Sequence, residues 1–276
     1  MLQTIGGQQG INYLSLEEDV MFVGSRRVLM AAIFLMVSIW AAQGLAQDDG
    51  AENTVENTDG ELILVAGATG RTGQLVVAEL LANGFRVRAF VRNADEAREK
   101  FENSVEFAVG DVRQRTSIDL ALNGVTAIIC AIGAGRGDPS NGPEFVDYGG
   151  VQNLVEAAHD AGLRQFVLMS SGGVTHEDHV LNKMFGNVLI WKFKGEEAVR
   201  NSGVPYTIVR PGGLIDKPSD PSAVILQQGD SGEGMIPRAD VAIVLVQSLQ
   251  YPEALNKTFE VVSGDMEARF GLLNTD

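Results

Sequence analysis

The sequence predicts an α/β fold, a single doubly wound domain on a mostly parallel sheet, preceded by an apolar segment of a different kind. Three observations predict it. From Glu61 onward, short apolar or alternating runs trade places with helical patterns, with no internal repeat or linker between them. The first such run, LILVAG, enters a loop with three glycines and then an amphipathic helix. The stretch from Glu61 to the end, about 215 of the 276 residues, has the size of one α/β domain.

Each element follows in order. LILVAG, starting at Leu62, is an apolar run closed by glycine, as in a strand buried on both faces. TGQLVVAELLANG has a helical apolar face and stops at Asn83-Gly84. FRVRAFVR alternates as a second strand; ADEAREKF is a short polar helix; VEFAVGD is a third strand. RTSIDLALNG is a helix ending at Asn123-Gly124, and VTAIICAIGA a fourth strand. PEFVDYGGVQNLVEAAHDAG predicts one long helix, with Gly149-Gly150 a weak point or a close-packing site. LRQFVLMSSGG is a fifth strand, LIWKFKGEEAVRNSG a helix stopped by Gly203, and PYTIVRPGG a sixth strand. RADVAIVLVQSLQ is a helix and KTFEVVSG a late strand. Such alternation implies parallel strands with helices on both faces, and ligands at the carboxyl ends of the strands.

Composition narrows the function. A net charge of −15 argues against non-specific nucleic-acid binding, which needs a basic surface. The single cysteine, Cys130, allows no intrachain disulfide and is expected to be a small buried residue rather than a redox thiol. His176 and His179, beside Glu177 and Asp178, are expected in a solvated loop, and no metal site is expected.

Residues 28–46, VLMAAIFLMVSIWAAQGLA, carry no charge, follow Arg26 and Arg27, and end in the small residues Gly44-Leu45-Ala46. This is the pattern of a secretory signal, and it is long enough for an uncleaved anchor. SRRVLM, Ser25 to Met30, also resembles a twin-arginine export motif. Glu17, Glu18 and Asp19 fit no signal, which makes Met21 the expected true start. Residues 1–46 are thus expected to be an extension with a signal or anchor, 47–60 an acidic spacer, and 61–276 the domain, exported or membrane-anchored.

Gly67, Gly70 and Gly73 are spaced G-x-x-G-x-x-G between the first strand and the first helix. The first permits the tight turn, the second lets the backbone meet a pyrophosphate, and the third lets helix and strand pack closely. Thr69, Arg71 and Thr72 complete the loop, and the helix N-terminus faces the diphosphate with its positive dipole end. This is the dinucleotide-binding turn of a Rossmann-like domain. An NAD site places an acidic residue after the second strand, but none lies between Glu79 and Asp95. Arg92 stands there instead and is the first choice for a 2′-phosphate; Arg71 is the second. Arg86 and Arg88 are expected to be ordinary exposed strand residues. NADP(H) is the expected cofactor, with NAD(H) the alternative.

GATGRTG, VRAFVRN, GDV, FVLMSSGGV and GVPYTIVRPGGL together resemble the atypical short-chain dehydrogenase/reductase superfamily over about residues 61–265. The nearest resemblance is to its NmrA-like group, which includes biliverdin reductase B and NAD(P)-binding assembly proteins of plastids and cyanobacteria. The resemblance implies that Asp111 and Val112 flank the adenine, and that Ala131, Ile132 and Gly133 line the ribose and nicotinamide side. It places Ser170 and Ser171 at the active-site serine, Lys194 at the lysine of the nicotinamide ribose, and Pro211, Gly212 and Gly213 near the ring. The dehydrogenase branch carries a tyrosine acid four residues before that lysine; here Ile190 stands there. Tyr148 is a candidate replacement, and Tyr206 is expected in the core. The expected function is hydride transfer to a flavin, quinone or similar acceptor that needs no protein acid. The alternative is a non-catalytic cofactor-binding assembly or sensor protein with a protein partner.

Overall fold

A computed structural model describes residues 60–135, 138–230 and 234–264. The signal or anchor segment, the proposed start at Met21 and nearly all of the acidic spacer lie outside the described residues.

The strands are β1 (Leu62–Ala66), β2 (Arg86–Val91), β3 (Glu106–Val109), β4 (Ala127–Cys130), β5 (Gln165–Met169), β6 (Tyr206–Pro211), β7 (Gly213–Ile215), β8 (Val224–Gln227), β9 (Met235–Pro237) and β10 (Lys257–Ser263). The helices are α1 (Arg71–Ala82), α2 (Ala94–Phe101), α3 (Arg115–Ala121), α4 (Val151–Asp160), α5 (Val180–Met184), α6 (Val188–Arg200) and α7 (Arg238–Gln247). Eight strands form one sheet in the order β3-β2-β1-β4-β5-β6-β10-β8. All its pairings are parallel except β8 with β10. The strand order reverses between β1 and β4, so the carboxyl ends of these two strands frame the crevice where ligands of such sheets sit.

The sheet is buried on both faces because its strands are apolar at nearly every position. In β1, Ile63 and Val65 join one core with α1, α2 and α7, through Val76, Leu80, Phe101, Val241 and Leu245. Leu62, Leu64 and Ala66 join the other, with Ile118 of α3, Leu154 of α4 and Val199 of α6. This period-two alternation feeds two helical layers from a single strand.

The structure departs from the sequence reading in four places. The expected long helix from Pro143 begins as a π-helical stretch, Glu144–Gly150, and becomes α-helical only from Val151. Gly150 is the expected close-packing site, since a Cβ there would lie 2.6 Å from Val112 Cγ2. Two three-residue strands, β7 and β9, pair outside the main sheet, and β8 adds an antiparallel edge. The short helix α5 falls in the expected loop, with His179 Nδ1 accepting the Leu181 N–H at its start. Finally, Arg88 is not an ordinary exposed residue. Its side chain, 17% exposed, donates to Glu106 and to the Ala121 and Asn123 carbonyls.

Candidate functional site

The glycine turn is built as its spacing requires. Gly67 has φ +83°, which disfavours other residues, and a Cβ there would lie 2.6 Å from the Ala131 carbonyl oxygen at the end of β4. A Cβ on Gly73 would collide with Gly67 itself. Gly70 differs: its backbone is extended, its N–H donates to Gly67, and its added Cβ would meet nothing closer than that carbonyl at 3.2 Å. Its missing side chain therefore clears space on the outer side of the turn. No side chain caps the N-terminus of α1, and no acidic residue lies in its first turn. These free N–H groups and the positive dipole end suit an anion such as a diphosphate. Thr69 is half-buried, and Thr72 is buried at the back of the turn. Arg71 is exposed and pairs with Asp216.

Beyond the end of β3, Arg113 forks onto the Asp111 carboxylate, with Nη2 2.6 Å from Oδ2, and donates through Nη1 to the Ser140 carbonyl. These hydrogen bonds hold the Asp111 carboxyl below its ordinary range, against the upward push of burial, and the charge of Arg92 adds to the effect. Arg92 is exposed just beyond β2, and the following Asn93 fixes the chain there by capping α2 through the Asp95 and Glu96 N–H groups. Val112 accepts at its carbonyl from Asn153.

At the other side, Asp147 of the π-helical stretch is buried, with its side chain fully covered. Lys192 Nζ lies 2.8 Å from its Oδ1, while Oδ2 accepts the Ala134 N–H at 3.0 Å, just past Ala131, Ile132 and Gly133. Lys194 is placed elsewhere. It is exposed, 4.3 Å from the Trp191 ring centroid, in an outer groove with Gln152, Glu197 and Asn201. Tyr148 stacks on Trp191 in the same region, and Tyr206 is half-buried against the core. Lys192, absent from the sequence-based set, is thus the lysine brought to the end of β4. Helical phase carries the signal: Leu189, Gly195, Glu196 and Val199 are the buried residues of α6, and Lys192 shares their face while Lys194 does not.

Ser170, at the end of β5, is 5% exposed, and its Oγ has no hydrogen-bond partner among the described residues. Ser171 Oγ is instead occupied by the Gly172 carbonyl. Pro211 is buried; the Gly212 N–H donates to Val261 and the Gly213 N–H to Gly234. Burial pushes the Cys130 thiol up to about 12, so it carries no thiolate at neutral pH. Among the described residues no group of His, Cys, Asp and Glu is placed to hold a metal ion. A concavity of about 500 Å³ lies between α4 and α6, where Arg115 is already paired with Asp119, Glu156 and Asp160.

A doubly wound sheet, a glycine turn at its switch point and an uncapped helix aimed across it define a dinucleotide-binding protein. The chain belongs to the NAD(P)H-binding family, whose model matches residues 67–252. It is similar to a chloroplastic protein of Arabidopsis thaliana, 38% identical over 225 residues, which cover 73% of this chain and 69% of that one. Sanguinarine reductase of Eschscholzia californica is 32% identical, over 73% of this chain and 88% of its own. The photosystem II assembly factor Ycf39 of Trieres chinensis is 30% identical, over 71% of this chain but only 62% of its own. Among solved structures, an NAD-dependent epimerase/dehydratase-like protein of Bacillus halodurans superposes with a TM-score of 0.68 at 27% identity, covering 75% of this chain and 95% of that one. The resemblance to atypical short-chain dehydrogenases/reductases is borne out.

The same findings correct the expectation of an exported or membrane-anchored protein. The Arabidopsis relative and two more relatives at 35–38% identity are chloroplastic proteins. Among the described residues no helix is long and apolar enough to cross a membrane.

Proposed function

We propose that this protein is an oxidoreductase that prefers NADP(H) and reduces a conjugated acceptor of the flavin or quinone type. The observation that carries the reading is Lys192, tethered to buried Asp147 at the end of β4 with no tyrosine four residues before it. Val188 holds that position, as Ile190 does for Lys194. A bound nicotinamide supplies the hydride. The chain's residues supply the rest. The uncapped start of α1 would hold the diphosphate, and the exposed guanidinium of Arg92 would pair with the 2′-phosphate. Lys192 keeps donors for the nicotinamide ribose while Asp147 fixes its direction. Ser170, its Oγ covered and without a partner among the described residues, stands at the end of β5. A conjugated acceptor takes hydride directly and draws its proton from water, so no side-chain acid is required. The similarity to sanguinarine reductase supports reductase chemistry.

A second reading, a nucleotide-binding protein whose occupancy sets partner binding, is favoured by the similarity to an assembly factor. One experiment separates them. The full chain is purified, its bound nucleotide identified by mass spectrometry, and NADPH oxidation followed with a panel of flavins and quinones. Turnover of one acceptor class supports the enzyme. A protein that binds NADPH tightly and oxidises it with nothing on the panel supports the second reading.

A further inference from the structure

Asp216 follows β7 directly and joins two arginines from different helices. Its Oδ2 lies 2.7 Å from Arg71 Nη1, and its Oδ1 lies 2.6 Å from Arg238 Nη1. The two arginines sit in different surroundings. Arg238 opens α7 with its side chain 11% exposed, whereas Arg71 opens α1 and is 69% exposed. The Arg238 guanidinium is largely covered while Asp216 itself is 63% exposed, so this half of the bridge is the more firmly held of the two. The Arg71 half is an exposed ion pair, weak against water and screened by salt.

Arg71 is also the first residue of the helix whose uncapped N-terminus is suited to an anion. The chain has therefore placed a carboxylate of its own on the arginine at the mouth of a phosphate site. That arrangement has an electrostatic cost for any phosphate that arrives, since two like charges then compete for one guanidinium.

We propose that Asp216 is a resident counter-anion of the dinucleotide site. It holds Arg71 in the free protein, yields it to a phosphate when the dinucleotide binds, and remains on Arg238. The inference rests on the reading of the glycine turn as a dinucleotide site. It assigns Asp216 a role in setting cofactor affinity, below what Arg71 alone would give. It also links the phosphate end of the crevice to β7, the strand that follows Pro211 and Gly212.

The test is fluorescence titration of the full chain with NADPH and NADH at low and high salt. Asp216→Asn removes the charge and keeps an acceptor for Arg238; Asp216→Ser removes the same charge and serves if the amide variant does not fold. At low salt the charge-removing variant binds NADPH about two- to fivefold more tightly than wild type, the worth of an exposed ion pair. The gain shrinks at high salt, disappears in an Arg71→Gln background, and is absent in Asp216→Glu. Unchanged or weaker binding by a folded variant overturns the counter-anion while leaving the dinucleotide site standing. A gain that persists without Arg71 also overturns it, because Asp216 would then act on the phosphate alone. Wild-type protein that binds neither nucleotide removes the dinucleotide site itself, and the counter-anion with it.

Discussion

Lys192 Nζ lies 2.8 Å from Oδ1 of Asp147, a carboxylate with no exposed side-chain surface, and this pair stands at the end of the central strand β4. Lys192→Gln leaves a polar side chain facing Asp147 and removes the charge. It should weaken NADPH binding by about ten- to a hundredfold, the loss of a charge-assisted contact. Lys194→Gln should change it by less than about twofold, as expected for an exposed side chain. Equal losses in the two variants would sink the assignment.

Gly70→Val should abolish binding of both nucleotides in a folded protein. The backbone at Gly70 is extended, and its added Cβ meets only the Gly67 carbonyl oxygen, at 3.2 Å, a contact the turn must relieve by a few tenths of an ångström. The side chain would fill the space between turn and diphosphate. Circular dichroism checks the fold, and titration checks the loss.

Arg92→Glu should cut NADPH affinity by about tenfold or more and leave NADH affinity within about twofold. The guanidinium beyond β2 is exposed, and its charge reaches the Asp111 carboxylate. A fall of equal size for both nucleotides would show that Arg92 does not read the 2′-phosphate.

Stability should fall in acid through Asp230. This buried carboxylate accepts from the Gly173 and Thr175 N–H groups and the Thr175 hydroxyl, at 2.6 to 2.7 Å, near the guanidinium of Arg210. Burial pushes its carboxyl up, but those hydrogen bonds and the charge of Arg210 hold it below the ordinary value. A depressed folded value means the stabilisation is full above the unfolded value, about pH 4, and is lost as pH falls through the folded one. Urea unfolding at stepped pH should show this acid loss in wild type. Asp230→Asn should be less stable at neutral pH, by about 1.5–3 kcal/mol, and should show a smaller acid loss.

The glycine turn is legible in the sequence because its chemistry is local: three residues without Cβ between one strand and one helix admit few other readings. The alternation of elements is legible for the same reason, since a strand buried on both faces leaves an apolar run. Lys192 is harder to read. WKFK places two lysines two residues apart, and choosing between them needs the buried phase of α6, set by Asp147 some forty-five residues earlier. β7 and β9 are three residues each, too short for a period, and exist only because they pair with each other. The segment 28–46 shows the opposite difficulty. Its composition is plain, but composition does not state a destination.

Gly195 stands one turn beyond Lys192, and a Cβ there would lie 2.5 Å from the Asp147 carbonyl oxygen. The absence of one methyl group is what lets α6 lie against the π-helical stretch closely enough for Lys192 to reach its carboxylate. An alanine at 195 would act as a wedge, pressing on the Asp147 backbone and parting the lysine from the carboxylate. The position is thereby closed to every side chain, and the spacing of two helical segments is written into a residue that has none.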